Sequence, residues 1–411
     1  MRVTSFGMTD VGRKRKANED SFFIDEKIGM FLVADGMGGH AAGEVASATA
    51  VQVIHRELSA RYDQMDTALK NGSVEARNEA LAEVSKAIEV ACREVFAIAE
   101  GDESKKGMGT TIAMLFVFGE EAIVAHVGDS RVYMLRDGES YQLTEDHSLV
   151  QEQLARGLIT PEEAKNAPYS NVITRALGIQ ESVQADTLYV ELMPGDEFML
   201  CSDGFHGYLA DGELPALMKG VEQQAIVGGM INLANERGGK DNVTVIHVRA
   251  AEEERAPEAV TPSAKIEALR NIPLFRYLDY KELVKVINVI SMRAYDEGQD
   301  VIVEGDPGEE LFVILTGGMT VKKAGKVIAM LRPMKHFGEM ALVDKEPRSA
   351  TVTATAPSKL MVIKRKDFVP MMRQEPQIGV KLLWSFVQVL SQRLRTTSEE
   401  LSEYKNMQGE E

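Results

Sequence analysis

The stretch Met30-Phe31-Leu32-Val33-Ala34-Asp35-Gly36-Met37-Gly38-Gly39 puts a carboxylate and a glycine turn at the end of a wholly apolar run. A run of this kind reads as a buried strand. Its terminal Asp35 stands at the edge of a core, where an unpaired carboxylate is costly without a cation or a strong donor. Two further runs end the same way: Ile123 to Val127 leads into Gly128-Asp129-Ser130, and Phe198 to Cys201 into Ser202-Asp203-Gly204. With Asn18 to Asp20 and Asp241-Asn242 they make five short acidic segments within the first 241 residues. One Asp-Gly is an ordinary turn. Five in this setting point to carboxylates gathered around metal ions, since divalent cations commonly take oxygen ligands.

The chain has 411 residues, 44% of them hydrophobic and 27% charged, the balance of a soluble globular protein with more than one domain. No apolar stretch is long enough for a membrane span, and Met1 to Asp10 lacks a signal-peptide core, so a cytoplasmic location is expected. Two cysteines, Cys92 and Cys201, cannot form a disulfide framework, and Cys201 is expected to pack as a small hydrophobe. The net charge of -17 counts against nucleic-acid and membrane partners, both of which call for a positive surface. The local exception is the basic run Arg13 to Lys16, which precedes the first acidic segment and can meet an anion there.

The segment 251–265, with its glutamates, prolines and alanines, reads as a linker between a first domain of residues 1–250 and a second of 266–405. In the first, strand-like runs (31–34, 111–118, 122–127, 131–136, 197–201, 242–248) surround two helical stretches, 43–62 and 74–100, which argues for an α+β sandwich. Residues 146–168 read as a helical insertion over the sheet and a candidate lid. The second domain begins with helical signal over 266–290. Short strands between glycine turns then suggest a small β-roll or jelly roll, and a helix over 377–404 closes it. On that helix Leu383, Val387, Leu390, Leu394 and Leu401 follow four and three residue steps, interrupted at Thr397, which suggests a homodimer seam.

In order along the first domain stand Thr9-Asp10-Val11-Gly12, Arg15 to Asp20, Asp35 to Gly39, Gly109-Thr110-Thr111, Gly128 to Arg131, Ser202-Asp203-Gly204 and Gly239 to Asn242. This set resembles the motifs of the metal-dependent PPM serine/threonine protein phosphatases. The resemblance implies a four-layer α-β-β-α sandwich and a centre of two Mn2+ or Mg2+ ions, which makes a nucleophilic hydroxide available at neutral pH. By that resemblance Asp35 bridges the ions, the Gly36 carbonyl takes one of them, and Asp203 and Asp241 take the other. Glu19 and Asp20 hold the second, directly or through water, and Asp129 with Asp203 forms a third, weaker site. Arg15 matches the phosphate-binding arginine, and Asn242 is expected to orient Asp241 or a metal-bound water. Eukaryotic members carry a histidine where Met37 stands here. Either His40 or a metal-bound water is then the acid, while His126 and His147 have weaker claims.

Phe337-Gly338-Glu339-Met340-Ala341-Leu342, followed by Pro347-Arg348-Ser349-Ala350, resembles the phosphate cassette of cyclic nucleotide-binding domains. The resemblance implies that Arg348 grips a cyclic phosphate, Glu339 accepts from the ribose hydroxyl, and backbone amides from Ala341 to Leu342, opening a short helix after Gly338, add donors. Ser349 carries a hydroxyl near the phosphate in cAMP and cGMP binders alike, so the base stays open. A cap from the last helix is expected near Trp384 or Ser385. Taken together, the sequence implies a phosphatase for phosphoserine and phosphothreonine on proteins, regulated by a cyclic nucleotide. The alternative is a metal-binding phosphoprotein scaffold without catalysis.

Overall fold

The computed structural model describes all residues except 1, 39–41, 71, 166, 170, 221, 252–260, 344, 345 and 409–411, with backbone only for 393, 396, 397 and 400–408. The chain divides into two compact units, Met1–Ala256 and Pro257–Glu411.

The first unit is a pair of antiparallel sheets. In one, Asp20–Asp25, Met30–Met37, Ile112–Phe118, Glu121–Val127 and Asp186–Glu191 lie side by side in that order, with the two-residue strand Gly109–Thr110 on Met30–Met37. In the other the order is Val3–Asp10, Val243–Ala250, Glu197–Cys201, Arg131–Arg136 and Glu139–Gln142.

Why the apolar runs are unbroken follows from the layering. On the first sheet Met30, Leu32 and Ala34 pack with Ala46, Ala50 and Ile54 of the helix Ala42–Ser59 and with Ile88 and Val95 of Val74–Gly101. On the second, Met199 and Cys201 pack with Val227, Met230 and Ile231 of the helix Gln223–Glu236. The alternate residues Phe31, Val33, Phe198 and Leu200 are also fully buried, and by the two-residue period of a strand they face the opposite sheet. Both faces of each central strand are therefore covered, as the four-layer α-β-β-α expectation requires.

The helical stretch expected over 43–62 breaks after Ser59 and resumes as Tyr62–Leu69. Ser73 starts the next helix by accepting a bond from the Ala76 N–H at 3.1 Å. The insertion after Asp146 holds two short helices, Leu149–Ala155 and Pro161–Lys165. Both cysteines are buried and free.

In the second unit the helical signal over 266–290 resolves into Pro262–Arg270, a turn of 3-10 helix, Tyr280–Asn288 and the start of a strand, Ile290–Tyr295. A helix already begins at Pro262, so the segment expected as linker is shorter at that end, and 252–260 lie outside the described residues. Two four-stranded antiparallel sheets follow and enclose Phe312, Ile314, Leu360 and Val362, the β-roll expected. The last described element is the helix Pro376–Gln408. Among the described residues no helix is long and apolar enough to cross a membrane.

Candidate metal centre and nucleotide pocket

Antiparallel pairing brings the acidic segments to one end of the sandwich. Asp20 opens its strand directly opposite Asp35, a like-charged cross-strand pair that is destabilising unless a cation lies between. Asp129 sits in the turn between Glu121–Val127 and Arg131–Arg136, Asp203 starts the short helix after Glu197–Cys201, and Asp241 precedes Val243–Ala250. Asp129, Asp203 and Asp241 line one cleft of about 590 Å³.

Hydrogen bonds hold the Asp20 carboxylate and the backbone of Asp35. Asp20 Oδ2 accepts from Ser202 Oγ at 2.8 Å and from Thr244 Oγ1 at 2.6 Å. The Asp35 backbone is held by Thr110 and Thr111, whose hydroxyls bond its carbonyl at 2.9 Å and its N–H at 3.0 Å. Two carboxylate oxygens, Asp20 Oδ1 and Asp203 Oδ1, are buried without a hydrogen-bond partner among the described residues. A buried carboxylate oxygen left orphaned is costly, and an oxygen-loving divalent cation satisfies it. At Gly36 an added Cβ would lie 2.2 Å from the Gly43 carbonyl oxygen and 2.5 Å from that of Glu19, so only glycine keeps Glu19 beside Asp35. The donor set thus fits divalent metal.

The protonation equilibria record the same crowding. Burial above all, then the neighbouring carboxylates, lift Asp35 well above the usual range and raise Asp203 as well. Burial pushes Asp20 up to about 7 against the hydrogen bonds from Thr244 and Ser202, with Asp203 and Asp241 adding repulsion. Burial and the charge of Asp203 likewise take Asp129 to about 7. At the rim, half-exposed Arg15 donates to Asp241 Oδ2 at 2.6 Å.

One expectation needs correction. The Asn242 side chain bonds neither Asp241 nor open solvent: its Oδ1 accepts from the Glu19 N–H at 2.8 Å, and its Nδ2 donates to the carbonyls of Val11 and Ala17. It ties down the loop that carries Arg15, while only its backbone N–H reaches Asp241. His147, given only a weaker claim, has both ring nitrogens engaged. Its Nδ1 accepts from the Gly128 N–H at 3.1 Å, next to Asp129, and its ring stacks on His126 at 4.6 Å with Asp186 and Arg175 beside it. His40 lies outside the described residues.

Sequence reasoning missed the supports of the insertion. Arg131 donates to both oxygens of Asp146 at 2.8 and 2.7 Å. His206 Nε2 meets the Asp129 carbonyl at 2.8 Å, and burial pushes this histidine down to about 3, so the neutral ring donates. These contacts span sequence separations that no local pattern reveals.

In the second unit Gly338 adopts φ 77° and opens a 3-10 turn, Glu339–Leu342, so Ala341 and Leu342 close that turn rather than open a helix. Arg348 is 8% exposed. Its only hydrogen-bond acceptor among the described residues is the Gly338 carbonyl, at 3.5 Å. Its guanidinium lies over the Phe312 ring, and a Cβ on Gly308 would fall 2.0 Å from its Nε. A buried guanidinium that forms no ion pair among the described residues, depressed from its usual value by burial, which outweighs the opposing charge of Glu310, is a prepared anion site. It opens into a cavity of about 470 Å³, also lined by Gly338, Glu339, Ala341 and Ser349, whereas Leu342 is packed away in the interior. Of the two residues expected to cap the base, neither is among those lining this cavity: Ser385 is buried against its own helix, bonding the Lys381 carbonyl, and Trp384 is 58% exposed.

An α-β-β-α sandwich with carboxylates converging at one end is the architecture of a metal-dependent hydrolase. Residues 12–240 match the protein phosphatase 2C family and residues 292–375 the cyclic nucleotide-binding domain; the chain belongs to the protein phosphatase 2C family. It is 38% identical over 246 residues to the serine/threonine phosphatase stp of Listeria innocua, covering 58% of this chain and 93% of that one. With the protein phosphatase PhpP of Streptococcus pneumoniae it shares 34% over 253 residues, 60% of this chain and 97% of the other. The crystal structure of the Mycobacterium tuberculosis phosphatase PstP superposes with a TM-score of 0.54 at 33% identity, covering 61% of this chain and all of that one. The PstP catalytic domain in complex with two manganese ions gives 0.52 at 32% identity, over 61% of this chain and 99% of that one.

Proposed function

We propose that the first unit hydrolyses phosphoserine and phosphothreonine on proteins in dependence on Mn2+ or Mg2+. The observation that carries this reading is the pair of orphaned oxygens on Asp20 and Asp203 among convergent carboxylates. Asp35, Asp203 and Asp241, with the Gly36 carbonyl, Glu19 and Asp20, would hold two ions, and Asp129 with Asp203 a third. When bound, such ions supply an activated water and neutralise phosphoryl charge. Arg15 orients the phosphoryl group, its guanidinium already placed against Asp241. Manganese-dependent phosphate release from a phosphothreonine peptide should fall at least about a thousandfold in Asp35→Asn or Asp203→Asn. Retained turnover in either variant, or none in the unaltered chain, would leave only a phosphoprotein scaffold.

The second unit takes a cyclic nucleotide, cAMP or cGMP, on Arg348, with Glu339 at the ribose and Ser349 near the phosphate. This nucleotide controls the phosphatase. Control requires different affinity of the nucleotide for the active and inactive states. Calorimetric titration with each nucleotide should give binding that Arg348→Ala abolishes, and phosphatase activity should change on saturation. The exposed seam of the last helix supports a homodimer, and the two free thiols agree with a cytoplasmic setting.

A further inference from the structure

The chain carries a net charge of -17, yet the rim of its metal centre is basic. Arg13, Lys14, Arg15 and Lys16 are all exposed. The loop holding them is pinned at several points: Gly12 N–H to Asp10 Oδ1 at 2.8 Å, Arg13 N–H to the Gly239 carbonyl at 2.7 Å, and Asn242 Nδ2 to the carbonyls of Val11 and Ala17. The Arg13 stem crowds Gly239, where an added Cβ would lie 2.7 Å from Arg13 Cγ, which places the loop against Gly239-Lys240-Asp241. Lys240 is exposed and lines the cleft with Asp203 and Asp241.

Of these five cations only Arg15 has a carboxylate partner among the described residues; Arg13, Lys14, Lys16 and Lys240 have none. Elsewhere on the same unit some exposed cations are paired, as Arg56 is with Glu94, Lys165 with Asp211 and Arg237 with Glu213. Others, such as Lys27, Lys86 and Lys219, have no carboxylate partner among the described residues. What sets this loop apart is the run of four adjacent cations, Arg13 to Lys16. Three unpaired positive groups on a fixed loop, with a fourth, Lys240, on the segment it packs against, form a local field in an otherwise acidic molecule that draws in and orients negative ligands. The phosphoryl group itself needs only Arg15 and the ions. The remaining cations are left over for charge on the residues that flank the phosphorylated side chain, Lys240 from the cleft lining and Arg13, Lys14 and Lys16 from the loop beside it.

We propose that this rim selects phosphoprotein segments in which acidic or additional phosphorylated residues flank the scissile phosphate. The proposal rests on the phosphatase reading above. It is tested on the full chain with Mn2+, using a phosphothreonine peptide with acidic flanks, one with neutral flanks, and p-nitrophenyl phosphate, which has no flanks. The acidic peptide should show a kcat/KM about tenfold above the neutral one at low salt. The gap should close at roughly 0.5 M salt as screening shortens the reach of the charges. Lys14→Glu with Lys16→Glu should erase the preference while leaving p-nitrophenyl phosphate turnover within about twofold, and Lys14→Gln with Lys16→Gln should reduce it partway. Equal kcat/KM for the two peptides, or a preference that survives charge reversal, overturns the proposal. Absence of turnover on all three substrates overturns the phosphatase reading, and this proposal with it.

Discussion

At the scale of single residues the centre is a balance between burial and charge. In the metal-free chain Asp20 and Asp129 stand at about 7, far above the unfolded carboxylate. A carboxyl group raised in the folded state binds its proton more tightly there, so its favourable contribution is present at acidic pH and lost as pH climbs from about 4 to about 7. The metal-free protein should therefore melt several degrees lower at pH 8 than at pH 5.5, and millimolar Mn2+ should narrow the gap, as differential scanning calorimetry would record. Equal melting temperatures at both pH values would contradict the crowding inferred here. Asp20→Asn should raise the metal-free melting temperature at pH 8 and weaken the Mn2+ response. The five aspartates were legible in the sequence because each ends an apolar run or sits beside glycine, serine or asparagine. Their supports were not. Asn242 reaches Ala17 across 225 residues and His206 reaches Asp129 across 77, and neither residue's local sequence hints at its partner.

At the scale of elements, legibility followed burial on two faces. The central strands, Met30–Met37, Ile112–Phe118 and Glu197–Cys201, read directly as continuous apolar runs, because helices cover one face and the opposite sheet the other. The edge strand Asp20–Asp25 and the polar hairpin strand Glu139–Gln142 carry no such run, and they escaped notice. The insertion was visible as helical, but not how it is fastened. Arg131 and Asp146 are mostly shielded from solvent, and although burial opposes ionisation of Asp146, the guanidinium outweighs it and lowers its pKa. Breaking a shielded pair leaves one charge stranded, so Asp146→Ala should cost about 2–4 kcal/mol in a urea melt. It should also speed proteolytic cleavage between residues 149 and 165 and raise KM for phosphopeptides more than for p-nitrophenyl phosphate. Unchanged cleavage would mean that the insertion is held by other contacts.

At the scale of the whole molecule the last helix carries an apolar stripe that its own unit leaves exposed. Val380, Leu383, Val387, Leu390 and Leu394 follow three and four residue steps and are 40–70% exposed, although residues of this kind normally lie inside. A stripe of that period is the seam of a two-helix coiled coil. Ile378, Leu382 and Phe386 of the same helix are buried within the unit, so its inner face is already satisfied, and the outer stripe is the part left for the homodimer proposed above. The full chain should therefore sediment as a dimer at micromolar concentration, and Leu383→Glu with Leu390→Glu should make it monomeric without unfolding it, since both positions are exposed. Nucleotide control that works through the dimer would disappear in this variant, while basal turnover of p-nitrophenyl phosphate and the calorimetric binding of nucleotide to Arg348 would persist. If the variant still responds to saturating nucleotide, control runs within one chain, and the seam serves assembly alone. If the unaltered chain sediments as a monomer at tens of micromolar, the seam is not a dimer interface.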